Sequence, residues 1–223
     1  MANSEVELVN SAFVKIGEST ITSLTQNTEN ARVANKQYPL LRDQMLRAYR
    51  WNFAIQRQNL APGGTPKFGF SHSFRLPTDC LRVLGIFDDT ELLENYTSSR
   101  IQWKMESVKI NEGTETEENE LRLLTTEEVT RVFYIARITN VQLFDSQFSE
   151  ALALKCAIDW AYTLSTGLGR LQDLKAESDQ TIRRARLSDA IEGKPEVIEA
   201  TDWIEARFDS SDLFGPRNRN ATN

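Results

Sequence analysis

The stretch from Phe148 to Leu164 constrains the fold more than any other part of the chain. Wound at 3.6 residues per turn, it presents Phe148, Ala151, Leu152, Leu154, Cys156, Ala157, Ile158, Trp160, Ala161 and Leu164, leaving a narrow polar stripe of Lys155, Asp159 and Thr163. A helix that is apolar almost all round must pack on several sides at once. Two homes satisfy it: the centre of a helical bundle, or an interface between subunits. The helix is expected to begin near Asp145 or Ser146.

Three further helical patterns supply candidates to surround it. Ser4-Glu5-Val6-Glu7 is a capping-box signal, and Val6, Val9, Phe13 and Ile16 follow at helical spacing, so a first helix is expected over 5–16, ended by Gly17. After a linker rich in Ser, Thr and Asn, the residues Ala31, Ala34, Tyr38, Leu41, Met45 and Ala48 form one apolar stripe. Pro39 falls inside it and is expected to kink or divide that helix. Gly167 and Gly169 bracket a turn into a fourth, more polar helix over about 170–192.

Between the helical pairs the period changes to two. Ile101, Trp103 and Met105 alternate, then Val108 and Ile110, and later Val132, Tyr134, Ala136 and Ile138. Pro62-Gly63-Gly64, Pro77-Thr78-Asp79 and the stretch 111–119 read as turns. The fold class that follows is α+β: a bundle of four main helices with an inserted antiparallel β region and an extended C-terminal arm. Residues 1–50 hold the N-terminal helices, 51–144 the β region, 145–192 the C-terminal helices and 193–223 the arm.

Beyond Gly193-Lys194-Pro195 the regular period is lost, yet Trp203, Ile204, Phe208, Leu213 and Phe214 remain. Segments with no home of their own are usually poor in such residues, so this arm is expected to dock, on its own body or on a neighbouring subunit or partner ring. Arg183, Arg184 and Arg186 cluster on the fourth helix. They read either as a solvated face paired with nearby acids or as a contact for a partner's acidic surface. Trp51 and Phe53 read as core residues at the junction between helix and sheet, or as partner contacts.

Composition and motifs narrow the function. With 40% hydrophobic and 26% charged residues the chain has globular proportions. Glu5 and Glu7 interrupt any signal-like stretch, and no apolar run is long enough to span a membrane, so a cytoplasmic chain is expected, with Cys80 and Cys156 as free, buried thiols. A net charge of −6 and a pI near 5.1 oppose a tight grip on phosphate backbones. DNA could pass such a surface without sticking.

Recognisable chemistry is scarce. His72, the single histidine, lies between Phe70 and Phe74 and has no histidine companion for a zinc site. There is no HExxH, CxxC, GxSxG or GxxxxGK[ST] spacing, so no metal, cofactor or nucleotide-driven reaction is expected. Glu112, Glu115, Glu117, Glu118 and Glu120 could furnish the two carboxylates of a glycosidase, and a virion-associated cell-wall glycosidase is the alternative reading. Their run around Gly113 resembles a solvated hairpin tip, a poor setting for raising the pKa of a catalytic acid.

Several segments together resemble the tail tubular protein A, or head-to-tail adaptor, family of short-tailed phages. They are 10–17 (NSAFVKIG), 21–24 (ITSL), 42–47 (RDQMLR), 50–54 (RWNFA) and 76–83 (LPTDCLRV). The likeness is densest over about 5–85, and the Trp-Asn-Phe-Ala and Leu-Pro-Thr-Asp-Cys segments are its most specific part. It implies a non-enzymatic protein of the virion tail, assembled in the host cytoplasm. It further implies a ring of twelve subunits between the portal and a nozzle resembling tail tubular protein B. That ring would extend the DNA channel without specific DNA binding, and its C-terminal arm would contact the portal. The residues expected to touch the portal or a neighbouring subunit are Trp203, Ile204, Phe208, Leu213 and Phe214 of the arm, with Arg183, Arg184 and Arg186.

Overall fold

The computed structural model describes residues 4–87, 101–110, 118–128, 130–164, 169 and 171–192. The described chain is α+β, with four helices and two antiparallel sheets. Helix α1 spans Glu5–Ile16; the Ser4 hydroxyl accepts the Glu7 amide, and Gly17 closes the helix at φ 81°. That left-handed conformation suits glycine, and the following amide of Glu18 returns to the Phe13 carbonyl.

Helix α2 spans Glu29–Ala48 with Thr28 as its cap and runs undivided through Pro39. The expected break does not occur because Pro39 lies on the exposed side, where water can take the carbonyl its ring leaves unbonded. Ala31, Ala34, Tyr38, Leu41 and Met45 are buried as their spacing predicts, whereas Ala48, in the last turn, is exposed. Helix α3 spans Ser146–Thr163, capped by the Asp145 carboxylate, and α4 spans Leu171–Ile191. The turn expected at Gly167 lies outside the described residues.

Of the two homes open to the apolar helix, α3 takes the centre of the bundle. It packs against α1, α2 and α4, and eleven of its residues are buried. At about 1.5–3 kcal/mol for each large apolar side chain removed from water, this burial is a large stabilising contribution, and α3 buries more residues than any other described helix. Intramolecular neighbours therefore account for its composition.

The β region differs from a single sheet. Strands β1 (Ile55–Asn59), β4 (Cys80–Phe87) and β7 (Arg131–Ala136) form one sheet in the order β1-β7-β4. Strands β2 (Ala61–Gly64), β3 (His72–Arg75), β5 (Trp103–Ile110) and β6 (Glu118–Thr125) form the other in the order β2-β3-β6-β5. Val132–Ala136 of β7 are all buried, as a central strand covered on both faces requires. Gly85 lets β4 pass β7 closely: a Cβ there would stand inside van der Waals contact of the Phe133 ring, 2.9 Å from its Cζ.

The Pro62-Gly63-Gly64 segment is strand rather than turn. It pairs with β3 through an irregular register between Pro62 and Gly64, with Gly64 at φ 102°. An edge strand tolerates proline because one row of its amides needs no partner, and the bulge uses glycine's freedom. Pro77-Thr78-Asp79 does turn, closed by the Cys80 amide on the Pro77 carbonyl at 3.0 Å.

Candidate partner-binding surface

The residues that carry the family resemblance converge on two places. In the first, the Asn10 side chain holds the loop after α1 by two hydrogen bonds: its Nδ2 donates to the Ile21 carbonyl at 2.9 Å, and its Oδ1 accepts the Ile21 amide at 2.8 Å. An asparagine amide thus reproduces the pairing a neighbouring strand would offer.

The second place is the joint between bundle and first sheet. Asp43 of α2 accepts from Arg42 at 2.9 Å and from Arg137, just past β7, at 2.7 Å. Arg42 is buried, and Asp43 with Glu5 at 3.6 Å supplies the counter-charge such burial needs. The Asp79 carbonyl accepts the Arg137 amide at 2.7 Å, and its carboxylate accepts the Tyr134 hydroxyl at 3.2 Å. Burial, then the Asp79 charge, pushes that phenol up to about 12. Arg47 donates to the Leu81 carbonyl, and Arg82 donates to the Arg47 carbonyl at 3.2 Å.

Trp51 sits within this joint. Its ring is 1% exposed, its Nε1 donates to the Met45 carbonyl at 3.0 Å, and its centroid lies 5.0 Å from Tyr49 and 4.9 Å from Phe148. Phe53 and Phe144 extend the aromatic cluster. Between the two readings of Trp51, its burial decides for the core. The adjacent Asn52 is clamped by α4: its amide donates to the Asp189 carboxylate at 2.8 Å and its Nδ2 to the Asp189 carbonyl at 2.5 Å. Burial raises the Asp189 pKa, and the Asn52 amide partly offsets this. Sequence gave no sign of that contact across 137 residues.

The three arginines of α4 do not act alike. The Arg186 guanidinium lies over the Tyr49 ring at 5.2 Å, beside a groove of about 250 Å³ lined by Met45, Ala48, Trp51, Lys155 and Ile182. Arg183 and Arg184 are exposed and form no ion pair among the described residues. Near them Leu187 is 64% and Ile191 82% exposed. At about 100° per residue these four side chains fall within a ~100° arc, opposite the buried Leu174, Ser178, Thr181 and Ala185. Trp203, Ile204, Phe208, Leu213 and Phe214 lie outside the described residues.

The larger cavity, about 560 Å³, lies on the second sheet and is lined in part by Phe68, Phe70, Ser73, Lys104, Arg122 and Leu124. Arg122 is buried and held by Glu120 at 2.9 Å and by the Gly63 carbonyl; Lys104 meets Glu106 at 2.7 Å. Of the acidic run weighed for glycoside hydrolysis, Glu120 is committed to Arg122 and lies 3.8 Å from Arg75. Residues 111–117 lie outside the described residues. His72 is half-buried in β3 opposite Thr125.

Cys156 is buried, and burial raises its thiol pKa. Cys80 is only half-buried rather than buried as expected, and burial followed by the Asp79 charge pushes its thiol up to about 11. Among the described residues no His, Cys, Asp and Glu side chains group to hold a metal, and no helix is long and apolar enough to cross a membrane. No protein-family model matches the chain, and no curated protein matches it.

Proposed function

We propose that this chain is a structural head-to-tail adaptor of a short-tailed phage. It forms a ring between portal and tail nozzle, extends the DNA channel and supports tail assembly. The observation that carries this reading is the meeting of Asp43, Arg47, Trp51, Asp79 and Arg82 at one joint between bundle and sheet. Segments far apart in sequence that resemble one family have a shared structural reason to occur together. They hold the inserted sheet rigidly on the bundle, as a load-transmitting ring subunit requires.

Two further features fit. The α+β architecture is of the kind the resemblance implies. The outer face of α4 offers unpaired cations beside exposed apolar side chains, the composition of a protein contact. In this reading the arm, through Trp203, Ile204, Phe208, Leu213 and Phe214, and the arginines of α4 touch the portal or a neighbouring subunit.

Light scattering on the purified chain, alone and mixed with rings of the phage's portal protein, tests the proposal. Each copy joining the portal adds 25.4 kDa. A gain of about twelve such increments is expected from the resemblance. Failure to join a portal ring under any condition of salt or concentration removes the adaptor reading.

A further inference from the structure

We infer that the outer face of α4 receives the C-terminal arm of a second copy of this chain, so that neighbouring subunits are joined head to tail. This deepens the adaptor reading and rests on it for the ring, although the contact itself is a property of the chain alone. The face has two cations and two large apolar side chains in one arc: Arg183, Arg184, Leu187 and Ile191. Neither arginine has an acidic partner among the described residues; the exposed acids on this side of α4, Asp173 and Glu177, lie about two turns or more away toward its start, so the excess positive charge sits on the C-terminal part of the face.

The arm carries the complement. Between 196 and 213 it has six acids (Glu196, Glu199, Asp202, Glu205, Asp209 and Asp212) against the single Arg207, a net charge of −5, interleaved with Trp203, Ile204 and Phe208. Opposite charge steers such an encounter and fixes its register, while the apolar side chains provide the area that leaves water. The contact is heterologous, one surface on each copy being different, and repeated contacts of that kind close into a ring when the rotation between copies allows. An isologous dimer through α4 would instead set Arg183 and Arg184 of two copies against each other.

Cross-linking of the full-length chain tests this. One tagged population carries Leu187→Cys and a second, differently tagged, carries Phe208→Cys; they are mixed and mildly oxidised near neutral pH. The native thiols compete poorly, since Cys156 is buried and the Cys80 thiol is pushed up to about 11. The expected result is a disulfide joining the two tags, in at least about tenfold excess over a mixture in which the exposed Gln142→Cys replaces Leu187→Cys. Adding Arg183→Glu and Arg184→Glu to the first population should lower the yield about tenfold. Adding Glu205→Lys and Asp209→Lys to the second should then restore much of it.

The inference is overturned if the tags join no more than in the control, both free and in the presence of portal rings, or if charge reversal has no effect. It is also overturned if a chain carrying both cysteines closes on itself at a yield that dilution does not change, because the arm then serves its own body. Portal joining by the unsubstituted chain is scored separately. Cross-links without portal joining would leave this contact standing and remove the adaptor reading, and the converse would do the reverse.

Discussion

Replacing Trp51 with alanine separates a core role from a contact role. The indole is 1% exposed, its ring faces Tyr49 and Phe148 at 5.0 and 4.9 Å, and its N–H satisfies the Met45 carbonyl near the end of α2. Truncating a buried tryptophan costs about 3–5 kcal/mol. Leaving a buried carbonyl without its donor adds about 1–3 kcal/mol where water cannot reach it. A loss of about 5 kcal/mol is therefore expected, comparable with the whole stability of many domains.

Trp51→Phe keeps most of the ring and loses the hydrogen bond, so it should cost about 1–3 kcal/mol. Urea unfolding followed by far-ultraviolet circular dichroism measures both, with an unchanged denaturant slope showing that the same surface is exposed. A loss under about 2 kcal/mol for Trp51→Ala would refute the argument that this residue locks helix to sheet. Unchanged stability with lost portal joining would make Trp51 a partner contact instead.

Other perturbations probe separate parts of the molecule. Gly85→Ala should destabilise by about 1–3 kcal/mol in the same unfolding assay, because the new methyl meets the Phe133 ring. Phe133→Leu in the same chain should recover part of that loss. Asp189 has a folded-state pKa above its ordinary value of 3.8, so its contribution is fully present below that value and is lost as pH rises through the folded pKa. Stability should accordingly fall less with rising pH in Asp189→Asn than in the unsubstituted chain, and an equal or steeper fall would contradict the assignment. Deleting residues 194–223 should leave a cooperative unfolding transition, since the described core is closed without them, while weakening portal joining; an unfolded product would place the arm in the core.

Local signals made the helices readable. The Ser4 cap, Gly17 and the spacing of the apolar stripes each act within a few residues, and their positions agree closely with α1 and α2, whereas the Thr28 cap was lost within a linker rich in Ser, Thr and Asn. The core reading of Trp51 was legible as one of two, since a large aromatic at a change of period can fill a core or meet a partner, and only its burial separates them. Pairing was not. Ile55 meets Ile135 across 80 positions, and nothing local distinguishes one sheet from two when strands join distant partners.

Pro62-Gly63-Gly64 has turn composition, yet it became an edge strand because a sheet edge needs only half its amides and the bulge takes up the glycines. The Asn52–Asp189 clamp and the separation of Arg186 from Arg183 and Arg184 depend on how α4 lies on the bundle. The arginine cluster was visible in sequence, whereas the division of labour within it was not. Leu187 went unweighed, and Ile191, grouped in sequence with Leu171, Leu174, Ile182 and Ala185 on one loose apolar side of the helix, is instead exposed, because at about 100° per residue it falls about a third of a turn round the helix from Leu174 and Ala185.

If the chain caps a portal ring, as proposed, an electron-microscope image of the two mixed together will show it. An added layer of density is expected on the tail side of the portal, with the copies arranged around an open channel. Portal rings unchanged in outline, at a concentration of the chain that would saturate any structural contact, would contradict it.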